Sequence, residues 1–402
     1  MQSLQESRWF KLICGASLQH LPAVRSLTLA YGLAGADCID VAADPVVVAA
    51  ARDGIRALRA LRHGFNLSPS SPSPLDGIHV LPNVADAMSL SDPWLMVSLN
   101  DGDDPHFRKA TFDPNTCPAD CDRPCETICP THAIVFANGS PAPAVARQAT
   151  QPQVSGVVRD RCYGCGRCVQ VCPVQQIDTE SYTVPVGAIA AELFPLVDAV
   201  EIHTQIGRTT AFAALWHQLR PYLPSLKLIA VSCPGGEGFV DYLRSLYDIM
   251  TDSGHQLLPC PNLWQTDGRP MSGDIGKGTT HAAIALAQVA IAAQLPGFIQ
   301  LAGGTNDYTV PRLQTLGLLP HPTLAGVAYG SYGRKILTPV LDTLEQQYSP
   351  STPLEVDPDL LQAAVIAAHG LVSQIKFSSL SPLFDEPLRT SGPGPLSTLN
   401  PV

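Results

Sequence analysis

Cys162-Tyr-Gly-Cys165-Gly-Arg-Cys168-Val-Gln-Val-Cys172-Pro173 places four cysteines within eleven residues. The spacing C-x2-C-x2-C-x3-C-P suits an iron–sulfur cluster for a mechanical reason. Three thiolates on one tight loop each reach a different iron, and the fourth, beyond the loop and followed by proline, points to a second cluster. Gly164 and Gly166 let the backbone wrap closely and aim N–H groups at the cluster sulfurs. A zinc ribbon would need two separated CxxC pairs instead.

A partner run lies upstream, Cys117-Pro-Ala-Asp-Cys121-Asp-Arg-Pro-Cys125-Glu-Thr-Ile-Cys129-Pro130. Its first two gaps are one residue wider, but it ends in the same x3-C-P. Both runs continue Cys-Pro, three residues, Ile, at Ile134 and Ile177, as the halves of a pseudo-symmetric bacterial-type ferredoxin do. The crossover rule then assigns Cys117, Cys121, Cys125 and Cys172 to one [4Fe-4S] cluster, and Cys162, Cys165, Cys168 and Cys129 to the other. The wider spacing leaves open whether the first cluster keeps four irons or readily loses one to become [3Fe-4S]. A radical-SAM loop fails, because Pro124 stands where its third cysteine would be.

Outward from the cysteines, short apolar runs alternate with helical segments, the pattern of an α/β fold with parallel strands. Expected strands are 11–15, 38–43, 95–99, 199–203, 226–232, 256–260, 298–302 and 326–329. Eight strands with intervening helices predict a (β/α)8 barrel carrying the two-cluster ferredoxin module after its third strand, on the face where barrels place function. An open doubly wound sheet is the competing arrangement. The expected division is barrel over 1–105 and 183–350, module over 106–182, a C-terminal helix over 351–377 and a disordered tail over 378–402. Asn66–Gly77 and the Asn138–Pro143 stretch read as loops.

At the mouth of such a barrel, Gly303-Gly304 and Gly330-Ser331 sit where many barrels hold phosphate, so a phosphate-bearing ligand or flavin is a candidate there. The bland alternative is that these glycines only permit tight turns. Asp44, Asn100, His203, Cys233, Asn262 and Asp307 are expected near the same rim. No His/Asp/Ser or paired-carboxylate set is legible. Cys14, Cys38, Cys233 and Cys260 read as buried small hydrophobes.

Composition narrows the partners. A net charge of −10 argues against nucleic acid. The apolar segment His281–Leu295 is shorter than the ~20 residues of a bilayer span. The clustered cysteines suit the reducing cytoplasm. Three functions remain: a regulatory redox sensor, an oxidoreductase whose clusters feed a flavin or substrate, and an electron-transfer module. The lack of a legible catalytic set favours a non-enzymatic role.

The Phe10–Ser17 segment Phe-Lys-Leu-Ile-Cys-Gly-Ala-Ser, the uneven cysteine runs and the long region after Cys172 together resemble the light-dependent period (LdpA) family of cyanobacteria, along essentially the full length. The resemblance implies a place in a circadian-clock input pathway that modulates period. It also implies that the redox state of photosynthetic electron carriers or the quinone pool is conveyed to KaiA and the sensory histidine kinases CikA and SasA.

Overall fold

The alternating runs fold into a closed barrel. The computed structural model describes residues 1–67, 91–136, 155–269, 275–349 and 351–376. The strands are β1 (Trp9–Gly15), β2 (Cys38–Ala42), β3 (Trp94–Asn100), β4 (Arg108–Thr111), β5 (Ile134–Val135), β6 (Gly156–Val157), β7 (Asp178–Ser181), β8 (Ala199–His203), β9 (Leu228–Pro234), β10 (Asn262–Asp267), β11 (Phe298–Ala302) and β12 (Leu324–Tyr329). The barrel closes in the order β1-β12-β11-β10-β9-β8-β3-β2, and all its pairs are parallel. Helices follow the strands in turn, from Leu21–Ala34 after β1 to Ser331–Gln347 after β12. The open-sheet alternative is thereby excluded.

Alternation along the strands explains the closure. Phe10, Leu12, Val97, Ile202, Val231, Trp264, Leu301 and Val327 point outward into the core shared with the helices. Inside, Trp9, Met96, Ala199, Leu228 and Leu263 form an apolar floor, plugged from below by Leu4. Above it lies a polar layer. Lys11 pairs with Glu201 and lies 3.7 Å from Asp40, which accepts from Ser98 at 2.9 Å. Gln265 donates to Glu201 at 2.8 Å and accepts from Gln300 at 2.7 Å. Lys11, Asp40 and Glu201 are fully buried, or nearly so. An isolated ion there would cost several kcal/mol, so the three charges must hold one another.

Between β3 and its helix, Val186–Leu193, sits the inserted module. Its strands β4 and β7 pair antiparallel, as do β5 and β6. The terminal helix Pro358–Lys376 buries Leu361, Val365, Leu371 and Val372 against the barrel's outer layer.

One expected strand is wrong. Residues 256–260 lie outside any strand, and Leu257 there is 96% exposed. The strand is Asn262–Asp267, whose Leu263, Gln265 and Asp267 stand in register with Phe298, Gln300 and Ala302 of β11. An inward face with two polar residues disguised it, while the exposed Leu257 and half-buried Leu258 imitated a strand's apolar run. The last barrel helix also starts earlier than expected, at Ser331, with Pro339 inside it. The expected loop beyond Leu67, the Asn138–Pro143 turn and the 378–402 tail lie outside the described residues.

Candidate iron–sulfur module and barrel mouth

Folding brings the cysteines into two groups. Cys129, Cys162, Cys165 and Cys168 line one cavity with Ala110, Ile134 and Tyr163. Burial pushes the Cys168 thiol up to about 12, and Cys165, Cys129 and Cys162 add to the shift. In the other group, burial raises Cys125 to about 11, with Cys172 and Cys117 adding. Cys117 is raised likewise, by burial and by Cys121 and Cys172. Thus Cys129 sits with the second run and Cys172 with the first.

Backbone donors face the sulfurs. The N–H of Ala110 reaches Cys162 Sγ at 3.4 Å, that of Ala133 reaches Cys129 at 3.2 Å, and that of Gln176 reaches Cys172 at 3.3 Å. At Cys172, burial acts upward, but N–H groups of residues 174 to 177 outweigh it and hold the thiol below its usual range. Crowded thiols that resist joint ionisation, ringed by N–H donors, suit a cationic iron cluster that would stabilise the thiolates. The donor set therefore fits the group. None of the twelve cysteines forms a disulfide, and Cys14, Cys38, Cys233 and Cys260 are buried as expected.

The second loop is pressed onto the barrel. Gly164 has φ +74, and a Cβ there would lie 2.3 Å from the Arg108 carbonyl oxygen of β4, so only glycine fits. Beside it, the Arg334 guanidinium stacks 4.1 Å from the centre of the Tyr163 ring and donates to the Ile13 carbonyl at 2.7 Å. Arg161 pairs with Glu345 at 3.0 Å, and His132 faces Asp342 at 3.6 Å. Lys109 donates to Gln19 at 2.7 Å.

Tyr163 also lines a second cavity, of about 80 Å³, at the C-terminal mouth of the barrel, with Ile13, His106, His203, Asp267 and Arg334. This is less than the several hundred Å³ of a typical cofactor site. Gly303 borders it at φ +65, where a Cβ would fall 1.8 Å from Asp267 Oδ1. That glycine makes room for a carboxylate, which supports the turn-permitting reading.

Of the rim residues expected from sequence, His203 points into this cavity. Asn100 instead braces the module's exit, donating to Tyr182 O at 2.9 Å and accepting from Val184 N–H at 3.0 Å. Asp44 caps its helix through Val46 N–H at 2.9 Å. Cys233 is buried in β9. Asp307 follows β11 and lies beside Tyr332. Asn262 is a correction: it begins β10, at the opposite end of the barrel, and donates to Pro296 O at 2.9 Å.

At the mouth, one carboxylate lies between two histidines. Asp104 Oδ1 lies 2.8 Å from His106 Nδ1 and 3.8 Å from His203 Nδ1. Burial alone would lower His203, but Glu201 and Asp104 raise it to about 9. Asp104 is held well below the usual carboxylate range, because hydrogen bonding and charge from the two histidines outweigh its burial. Its sequence signal was weak, since Asp104 and His106 lie in the irregular stretch after β3.

The comparisons with known proteins agree with this geometry. Residues 117–183 match the model of the LdpA Fe-S cluster-binding domain, and residues 195–374 match that of the Light dependent period A C-terminal domain. Light dependent period A of Synechococcus elongatus is 44% identical over 94% of this chain and 93% of its own length. The chain belongs to the light dependent period A family. It is accordingly an iron–sulfur protein of that family, and its module is the family's cluster-binding domain. No solved structure matches it. Among the described residues, no helix is long and apolar enough to cross a membrane.

Proposed function

We propose that this chain is a redox sensor that conveys the light-dependent redox state of the cell to the circadian clock. In this reading Cys117, Cys121, Cys125 and Cys172 hold one [4Fe-4S] cluster, convertible to [3Fe-4S], while Cys129, Cys162, Cys165 and Cys168 hold another. The family resemblance supplies the surroundings: photosynthetic carriers or quinone as the electron source, KaiA, CikA and SasA as listeners, and the cytoplasm as the compartment.

The observation that carries the reading is the polar seam between the second cysteine loop and the barrel. Bound there, a cluster supplies a one-electron change of charge. Arg334 holds the Tyr163 ring against β1, and Arg161 holds the loop to Glu345 on the last barrel helix. Glu345 is also 3.7 Å from His20, so these groups share one electrostatic balance. A unit charge acting over about 10 Å at an effective dielectric near 20 is worth roughly 1.7 kcal/mol. That is within the ~1–3 kcal/mol typical of coupling between sites. Catalysis at the mouth is the second reading, favoured by the polar cavity that Tyr163 shares with the cysteine loop.

Hydrogen exchange on the anaerobic holoprotein, oxidised and reduced, tests the proposal. Sensing predicts different protection in residues 159–163 and in the Ser331–Gln347 helix. Identical protection in both states would leave an electron carrier. Flavin bands in the visible spectrum would favour the enzyme.

A further inference from the structure

Asp104 and His106 lie on the loop that leaves β3, and His203 ends the neighbouring strand β8. We propose that these three side chains bind one divalent transition-metal ion, separate from the iron–sulfur clusters. One ligand atom from each can be chosen so that all lie within 4.8 Å of one another. The two Nδ1 atoms stand 2.8 and 3.8 Å from the same carboxylate oxygen. Such spacings suit donors that share an ion at about 2.0–2.2 Å.

The second observation is independent of the first. Each imidazole turns its other nitrogen to a carboxylate: His106 Nε2 lies 3.3 Å from Asp267, and His203 Nε2 lies 3.0 Å from Glu201. Metal-binding histidines are commonly oriented by a carboxylate at the far nitrogen. Here Asp267 and Glu201 face those nitrogens as ion-pair partners, and an ion would replace the hydrogen bond that His106 Nδ1 shares with Asp104. Asp267 keeps its place because Gly303 has no Cβ, and Glu201 is fixed by Lys11 and Gln265.

Position and chemistry agree. His106 and His203 line the cavity at the barrel mouth, where catalytic groups of such barrels gather. Its volume of about 80 Å³ suits an ion with a few waters or a small oxygen ligand. Two imidazoles and one carboxylate with open positions form a donor set for zinc or non-haem iron. The proposal does not rest on the sensing reading.

The test is equilibrium dialysis of the cluster-loaded holoprotein against Zn(II), followed by zinc-edge X-ray absorption. The expected result is about one zinc per chain, with only nitrogen and oxygen neighbours and with acid-labile sulfide unchanged. His106→Gln, at the most exposed of the three residues, and Asp104→Asn should each weaken zinc binding strongly while the visible cluster spectrum persists. Asp267→Asn should weaken it by about 10- to 100-fold. No bound zinc, sulfur in the zinc shell, or equal affinity in the variants would each overturn the proposal.

Discussion

The two cysteine runs end in the same Cys-Pro step but meet different surroundings. In the second, Tyr163 and Gly164 are buried and face the barrel and the backbone of β4. In the first, Pro118, Ala119, Asp120 and Asp122 are exposed and the loop turns to solvent. Only Cys125 of its four cysteines is buried. The tight spacing thus belongs to the site that must fit against a neighbour, and the loose spacing to the site that water reaches. Under the proposed sensing function, an exposed site suits electron entry and iron loss, and a buried one suits transmission to the barrel.

The largest expected asymmetry comes from deleting ligands. Cys168→Ala removes a side chain central to the module's small core, so it should cost both the second cluster and resistance to proteolysis. Cys117→Ala, at a half-exposed position, should cost the first cluster but leave the second cluster's visible spectrum intact. Equal damage would erase the distinction between the two loops.

Gly164→Ala sharpens it further. The added methyl must both hold φ +74 and displace the Arg108 carbonyl, which predicts a loss of about 2–3 kcal/mol, read as a lower midpoint in thermal unfolding of the holoprotein. Mild oxidation should then separate the clusters in time. Titration with ferricyanide should give a three-iron paramagnetic signal from the first site before the second bleaches, and simultaneous loss would count against the exposure argument.

The smallest effect concerns pH. Hydrogen bonding to Asp342 raises His132 above its usual value, against its burial. Docking through this pair is therefore fully present below about pH 6.5 and is lost as pH rises through the higher folded value. Both side chains are partly exposed, so the contribution should stay under about 1 kcal/mol. Comparing the thermal midpoint from pH 6 to 9 with that of His132→Gln checks it: the variant should lack this slope.

Much of this was legible in the sequence. The cysteine spacing is covalent geometry written along the chain, so the two cysteine groups, with Cys129 beside the second run and Cys172 beside the first, could be read without the fold. The barrel followed from alternation wherever the outward residues formed a clear apolar set, as in β1 to β3. It failed at β10, where Gln265 and Asp267 point inward and look like surface residues in a string of letters. The same blindness hid the mouth cluster. Asp104, His106, His203 and Asp267 come from three separated segments, and only closure of the barrel places them together. Lys11, Asp40 and Glu201 carried the available signal, as single charges at inward positions of otherwise apolar strands.

Crossover is the central claim, and moving one ligand from each run tests it directly. In Cys129→Ser, the second cluster's paramagnetic resonance and reduction potential should change while the first cluster's stay fixed, although Cys129 belongs by sequence to the first run. In Cys172→Ser the reverse should hold. If each substitution instead disturbed the cluster of its own run, the ligand sets would be local, and the pseudo-symmetric exchange described here would be wrong.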